Sequence, residues 1–133
     1  MILYDTSQWP QLTLHFRSSD WNYPDYASFM VAFKGLLERA AKEQVKIKLF
    51  VQGSVSNNVP PVSYYTWVIK DVVLLYSQFR SVLDRTAIFV PTRDLDPFFN
   101  MLFAVYTPAR PFKRFAEYEA ALKWLYQENP ALP

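Results

Sequence analysis

The chain contains no cysteine, and that absence removes several kinds of chemistry at once. Disulfides, thiolate catalysis and cysteine-ligated metal sites are excluded, and an intracellular location, the cytoplasm by default, is expected. The opening stretch MILYDTSQWP has no basic start and no long apolar run, so we predict no secretory signal. No apolar run approaches the length that crosses a bilayer, which predicts no transmembrane segment.

Glycine, histidine and excess charge are also scarce. The 2 glycines, Gly35 and Gly53, are too far apart to form a glycine-rich phosphate loop. His15 is the only histidine, and no carboxylate near it in sequence orients it for acid–base work or completes a metal site. A net charge of +2 with both signs interspersed is too weak to predict nucleic-acid binding. We therefore predict no catalytic residue, no metal site and no cofactor.

Aromatic surface is what the chain has in excess. Aromatic residues make up 18% and hydrophobic residues 51% of the 133 residues. This composition predicts one domain, residues 1–133, that is large enough to bury a real core. Rings beyond those that a core can bury would indicate a protein partner or a homodimer. A bulky core with ordinary exposed tyrosines explains the same composition.

Apolar periodicity divides the chain into alternating strands and helices. Leu12, Leu14 and Phe16 alternate with polar residues as in a strand, whereas Phe29, Phe33 and Leu37 recur at helical spacing. The order β-β-α-β-α-β-α-β-α predicts an α/β domain with a four- or five-stranded mixed sheet and helices mainly on one face. The predicted segments are strands 2–5 and 12–16, helix 23–44, strand 45–52, helix 62–83, strand 85–91, helix 94–106, strand 110–115 and helix 116–127.

The last third of the chain resembles a known family. A strand that ends in Arg114-Phe115, an acidic segment at 117–119 and a helix containing the run ALKWL at 121–125 are similar to the STAS superfamily, SpoIIAA-like group. The fold of that group is related to that of lipid-binding CRAL-TRIO domains. The resemblance implies a STAS-like domain that works as a non-catalytic regulatory or protein-interaction module. Anti-sigma-factor antagonists of the superfamily carry a phosphorylated Asp-Ser-Ser-Gly-like motif where this chain has QGSVSNNVPPVSYY, so we expect no kinase-controlled switch here.

The first candidate site is the polar loop between the predicted strand 45–52 and the predicted helix 62–83. Its hydroxyl and amide groups precede a helix N-terminus, where an anion could bind, beyond the carboxyl end of a strand. A wide turn that ends in a capping serine explains the same residues and is the simpler interpretation. The candidate ligand- or partner-binding residues here are Ser54, Ser56, Asn57, Asn58, Ser63, Tyr64 and Trp67.

The second candidate site is the aromatic group Trp21, Tyr23 and Tyr26, which stands just before and within the first predicted helix. These rings could form a lid over an apolar pocket, a docking patch or a plain cover on the sheet edge.

Three functions follow as hypotheses. The first is the non-catalytic interaction module, with a protein partner or a second copy. The second is a small carrier or sensor of a lipid or other apolar molecule, held between the aromatic helices and the sheet. The third, an enzyme, is the least favoured. A dry cavity larger than ordinary gaps between side chains would support the second hypothesis.

Overall fold

The computed structural model describes residues 2–16, 22–53, 62–90, 96–105 and 110–127. Within these ranges, strands and helices follow one another in the predicted order, which confirms the α/β class and the β-β-α-β-α-β-α-β-α sequence of elements. The elements are β1 (Leu3–Gln8), β2 (Gln11–Phe16), α1 (Tyr23–Glu43), β3 (Ile47–Gly53), α2 (Val62–Gln78), a 3-10 turn (Arg80–Val82), β4 (Leu83–Phe89), α3 (Asp96–Val105), β5 (Phe112–Phe115) and α4 (Tyr118–Leu125).

The strands form a five-stranded mixed sheet in the order β1-β2-β3-β4-β5. β1 pairs antiparallel with β2, and the remaining pairs are parallel. Each parallel connection moves one strand along in the same direction, so right-handed crossovers place successive helices on the same side. The described sheet therefore has no point at which the strand order reverses. Doubly wound sheets usually bind ligands at such a reversal.

The strand register assigns alternate residues to the two faces of the sheet. On one face, a large cluster of buried residues joins Leu14, Leu49 and Ile88 to the apolar sides of α1, α2 and α3. On the other face, a smaller cluster joins Phe50 and Ala87 to α4. Helices thus lie mainly on one face, as the sequence predicted.

The polar residues of β2 lie on the second face of the sheet. His15 is exposed and Thr13 is half-buried, and they alternate with the buried Leu12 and Leu14. The next polar position of this alternation, Arg17, lies outside the described residues.

The ends of α1 follow from its local sequence. The Asn22 side chain accepts a hydrogen bond from the Asp25 backbone N–H at 2.9 Å, and Pro24 occupies the first turn, where its missing N–H costs nothing. The helix ends at Glu43 and is capped by Gln44, which adopts a left-handed conformation with φ of 57°. Its buried side, which includes Phe29, Phe33 and Leu37, faces the sheet and gives this helix its position.

The predicted helix 62–83 was too long. The helix α2 ends at Gln78, the 3-10 turn follows, and β4 begins at Leu83. Leu83 is buried and pairs with Ile47 of β3, a position it would lose if the helix continued. Helical spacing of apolar residues continues through this turn, so periodicity alone could not mark the end of α2.

A buried arginine attaches α4 to the sheet. Arg85 of β4 is only 7% exposed, and its Nη1 donates to the Trp124 carbonyl at 2.9 Å and also to the Gln127 carbonyl. Carbonyls at a helix C-terminus have no partner within the helix, so this guanidinium supplies donors at the end of α4, where the Trp124 carbonyl also accepts the Gln127 backbone N–H at 3.2 Å. The Arg85 guanidinium also lies 5.8 Å from the centre of the Trp124 ring.

Candidate functional site

A cavity of about 150 Å³ lies between the three-helix side and the sheet. Its floor comes from β2, β3, β4 and β5, and its roof comes from α1, α2 and α3. Phe29 and Phe33 of α1, Val68 and Val72 of α2, and Phe99 of α3 are among the roof residues. Protein interiors are normally packed as densely as organic crystals, and voids larger than a water molecule are few. A space of this size is therefore a feature of the fold that packing alone does not require.

The wall of the cavity is almost entirely apolar. Apart from tyrosines, Thr86 is the only polar side chain among the described lining residues. A buried water needs two to four polar partners, so a cavity with such a wall favours an apolar occupant over water.

The lining extends to the carboxyl edge of the sheet. Leu49 and Thr86 are paired in register at one end of the floor, and Gly53 and Val90 stand four residues further along the two strands. Four residues of strand span about 13 Å. Phe16, Gly53 and Val90 all line the cavity, and each is the last described residue of its segment. The cavity thus lies inside the fold, below the edge at which the sequence predicted a site.

An aromatic cluster, Tyr23 and Tyr26 of α1 with Tyr64 and Trp67 of α2, stands at this edge. The ring centres of Tyr23 and Trp67 are 4.8 Å apart, and those of Tyr26 and Tyr64 are 5.4 Å apart. The rings of Tyr26 and Trp67 are stacked with centres 6.2 Å apart. Residues of the two sites that were predicted separately from the sequence therefore lie in one group in the structure.

Tyr26 anchors this cluster through its hydroxyl. The hydroxyl donates to the Asp71 carboxylate and lies 3.1 Å from the Trp67 carbonyl oxygen, so α1 is tied to α2. Burial, followed by the hydrogen bond to Asp71 and the charge of that carboxylate, raises the pKa of Tyr26. Burial also raises the pKa of Tyr65, another residue of the cavity wall.

The cluster has one side in the cavity and one in solvent. Tyr26 and Tyr64 are buried and line the cavity, whereas Tyr23 is 55% exposed. Trp67 is half-buried between them. Asp71, which the sequence analysis did not single out, fixes the central ring. No local signal could identify it, because its partner Tyr26 is 45 residues away in sequence.

The remaining predicted site residues have different outcomes. Ser63 is exposed and lies inside the first turn of α2, which begins at Val62, so it does not precede the helix as a capping residue does. The other predicted binding residues, Ser54, Ser56, Asn57, Asn58 and Trp21, lie outside the described residues. The anion-binding hypothesis for that loop stays a prediction.

An ionic group lies at the other end of the sheet. The Asp84 carboxylate accepts a hydrogen bond from Lys48, lies 3.4 Å from Arg85 Nε and lies 3.9 Å from Arg110. Burial opposes ionisation of Asp84, but the hydrogen bond and charge of Lys48, together with Arg85, outweigh it and lower the pKa of Asp84. These charges pair with one another and do not line the cavity. Their evident role is to hold β3, β4 and the end of α4 together.

The described residues hold little else that resembles a reactive centre. Within the described ranges, no group of three or more histidine, aspartate or glutamate side chains could hold a metal ion. None of the described helices combines the length and the apolar character needed to cross a bilayer. The basic residue Arg114 of β5 pairs with Asp96 of α3, and its guanidinium lies 4.8 Å from the ring centre of Phe99. It therefore serves an internal contact.

Comparison of the chain with protein-family models, with curated proteins and with solved structures gave no match. The resemblance to the STAS superfamily therefore stays a prediction.

Proposed function

We propose that the protein binds a small apolar molecule in the cavity between its three-helix side and its sheet, as a carrier or sensor. The observation that carries this proposal is the cavity itself, about 150 Å³ with an almost purely apolar wall. The sequence alone ranked this function second, behind an interaction module. The cavity is the feature that distinguishes the two hypotheses, because a docking module has no need of an internal space.

The volume limits the size of the ligand. A cavity of about 150 Å³ in an engineered protein stays dry and binds benzene or xenon. Sites for drug-sized ligands usually start at about 300 Å³. The space described here therefore suits a single ring or a short alkyl segment better than a whole lipid, and the proposed ligand class is narrower than the lipid that the sequence suggested.

A ligand that fills the cavity should gain free energy from doing so. An unfilled cavity costs about 24 cal/mol per Å³, so 150 Å³ corresponds to about 3.6 kcal/mol relative to a solid core. A ligand that fills the space recovers part of that free energy. Since a Kd of 1 mM corresponds to about 4.1 kcal/mol, which is more than this whole free energy, we expect a Kd of several millimolar for a ring of suitable size.

The other two functions have less support from the described residues. Large exposed apolar side chains are distributed over separate elements, such as Val31 in α1, Leu74 in α2 and Tyr126 after α4. Single exposed apolar residues of this kind are normal and do not indicate a partner. The described cavity wall carries no titratable side chain other than tyrosine, which leaves few groups for acid–base catalysis by an enzyme.

Toluene is the probe that tests this proposal. We expect a toluene titration to shift the NMR methyl resonances of Val72 and Leu75, which line the cavity. The methyl resonance of Ala87, which lies in the cluster against α4 on the opposite face, should stay unchanged.

A matched pair of variants locates the binding. In Val72→Phe the added ring occupies the cavity, so toluene affinity should fall at least tenfold. Val73→Phe makes the same change at the neighbouring residue of α2, which does not line the cavity, and should retain binding. An absence of toluene binding by the wild-type protein would refute the proposal, and so would equal binding by Val72→Phe.

A further inference from the structure

Aromatic rings surround the cavity on most of its sides. Among the described residues, rings line it from β2, from β5 and from all three helices of the roof, and only β3 and β4 contribute none. Phe16 and Phe112 belong to the floor, whereas Phe29, Phe33 and Phe99 belong to the roof. A molecule inside the cavity therefore meets aromatic rings on the floor side and on the roof side.

The tyrosines of the wall contribute their rings rather than their hydroxyls. The Tyr26 hydroxyl donates to the Asp71 carboxylate and lies 3.1 Å from the Trp67 carbonyl oxygen, and neither Asp71 nor Trp67 lines the cavity. The Tyr76 hydroxyl lies 2.9 Å from the hydroxyl of Thr86. Because these hydroxyls bond within the protein, the surface that a ligand meets is almost entirely hydrocarbon.

The rings of the wall pack against one another in favourable aromatic geometries. The rings of Phe16 and Phe29 meet edge to face with centres 5.8 Å apart, and those of Phe29 and Phe33 are stacked with centres 5.5 Å apart. The rings of Tyr76 and Phe112 meet edge to face with centres 6.0 Å apart. Such pairs, at about 4.5–7 Å, gain more than the burial of their area, because the positive edge of one ring attracts the negative face of another. A planar aromatic ligand in the cavity extends the same array of rings.

We propose that the cavity selects small aromatic rings, such as benzene and its methyl derivatives, over saturated rings and alkyl chains of the same volume. This inference rests on the proposed function, because it narrows the ligand class of the same cavity. A saturated ligand gains only the transfer of its apolar surface out of water. An aromatic ligand gains the same transfer and, in addition, the attraction between its ring and the rings of the wall.

Benzene and cyclopentane test this preference, since they have similar volumes and only benzene is aromatic. Cyclopentane leaves water more readily, so the two affinities need a common reference. Each protein sample is equilibrated through the vapour with a hexadecane reservoir that holds one of the two compounds at a fixed concentration, which cancels the difference in transfer from water. The NMR methyl resonances of Val72 and Leu75, which line the cavity, report binding. We expect the wild-type protein to bind benzene about two- to tenfold more tightly than cyclopentane on this scale.

Matched phenylalanine-to-leucine substitutions show whether the rings of the wall cause the preference. In Phe33→Leu a ring of the roof becomes an alkyl group, so the ratio of benzene affinity to cyclopentane affinity should fall about twofold or more. Phe115→Leu makes the same change beside the cluster on the opposite face, at a residue that does not line the cavity, and should leave the ratio unchanged. The ratio is the decisive quantity, because a general loosening of the core changes both affinities together. If Phe33→Leu does not fold, the wild-type ratio still tests the inference.

The outcomes separate this inference from the proposed function. If the wild-type protein binds benzene and cyclopentane equally on the hexadecane scale, the cavity binds apolar molecules without selecting aromatic ones, and the inference alone is refuted. A benzene preference that is as large in Phe33→Leu as in Phe115→Leu would also refute it. If the wild-type protein binds neither of these compounds nor toluene, both the inference and the proposed function fail.

Discussion

Replacing Tyr26 by phenylalanine tests whether the aromatic cluster is held by one hydroxyl. The Tyr26 side chain is 4% exposed, and its hydroxyl donates to the Asp71 carboxylate across the boundary between α1 and α2. The substitution keeps the ring, and with it the contacts to Tyr64 and Trp67, and removes only the hydrogen bond. Any loss of stability therefore reports on that bond.

The magnitude follows from the charge and exposure of the acceptor. A hydrogen bond to a charged group contributes about 1.5–3 kcal/mol. Asp71 is half-buried, so water can replace part of what the carboxylate loses, and the lower end of the range applies. We expect the free energy of unfolding to fall by about 1.5–2 kcal/mol. For a chain of 133 residues this corresponds to a decrease in Tm of about 5–10 °C.

Urea denaturation followed by far-UV circular dichroism measures this change. Tyr23→Phe is the matched control, because Tyr23 belongs to the same cluster but is 55% exposed. We expect the control to stay within about 0.5 kcal/mol of the wild type. If Tyr26→Phe loses no more stability than Tyr23→Phe, the hydroxyl does not hold α1 to α2 and the reasoning is wrong.

The same pair of proteins gives a pH dependence. The pKa of Tyr26 is raised in the folded state, so its contribution to stability is complete below the ordinary tyrosine pKa of about 10. The contribution is lost as the pH rises above that value towards the higher folded-state pKa. The stability difference between the wild type and Tyr26→Phe should therefore shrink above about pH 10.

Two further predictions concern the sheet and α4. In Asp84→Asn, which leaves Lys48 and Arg85 without their carboxylate, we expect a loss of about 2 kcal/mol at neutral pH. The pKa of Asp84 is lowered in the folded state, so this difference should persist above about pH 4 and shrink as the pH falls through the lower value. In Leu125→Ala, a fully buried contact of α4 is removed, and urea denaturation should show a loss of about 2–5 kcal/mol. The variant Leu122→Ala, at a half-buried position of the same helix, should lose less stability than Leu125→Ala. Equal losses of stability in the two variants would contradict the burial of Leu125.

Much of the fold was predictable because a strand or helix that is buried on one side has apolar residues at periodic positions in its sequence. The alternation of Leu12, Leu14 and Phe16 with polar residues indicated β2, and the helical spacing of Phe29 and Phe33 indicated α1. The predicted end of α2 was wrong because α2 and the strand β4 that follows it are both apolar, so the hydropathy of the sequence does not change where the helix stops. Periodicity reports which side of an element is buried and says little about where it stops.

The candidate site was less predictable because it depends on distant residues. Tyr26 and Trp67 are 41 positions apart, and nothing local indicates that their rings stack. The cavity is harder still, since it arises where the side chains of α1, α2 and the sheet fail to fill the space between them. Val72 has the same place in a hydrophobic pattern whether it faces a solid core or a void. Thr86 likewise sits within a short apolar run, and its partner Tyr76 comes from another element.

The sequential strand order also affects how the chain can fold during synthesis. Every hydrogen-bonded pair of strands is consecutive along the chain, so a nascent polypeptide can add each strand to a neighbour that has already been made. The helix α4 departs from this order, since it returns across β3 and β4, and Tyr126 donates a hydrogen bond to Gln11, 115 residues earlier. Phe50 and Ala87 are covered only when α4 packs against the sheet. A ribosome-bound chain would therefore expose one apolar face until α4 has been synthesised, and chaperone contact matters most in that interval.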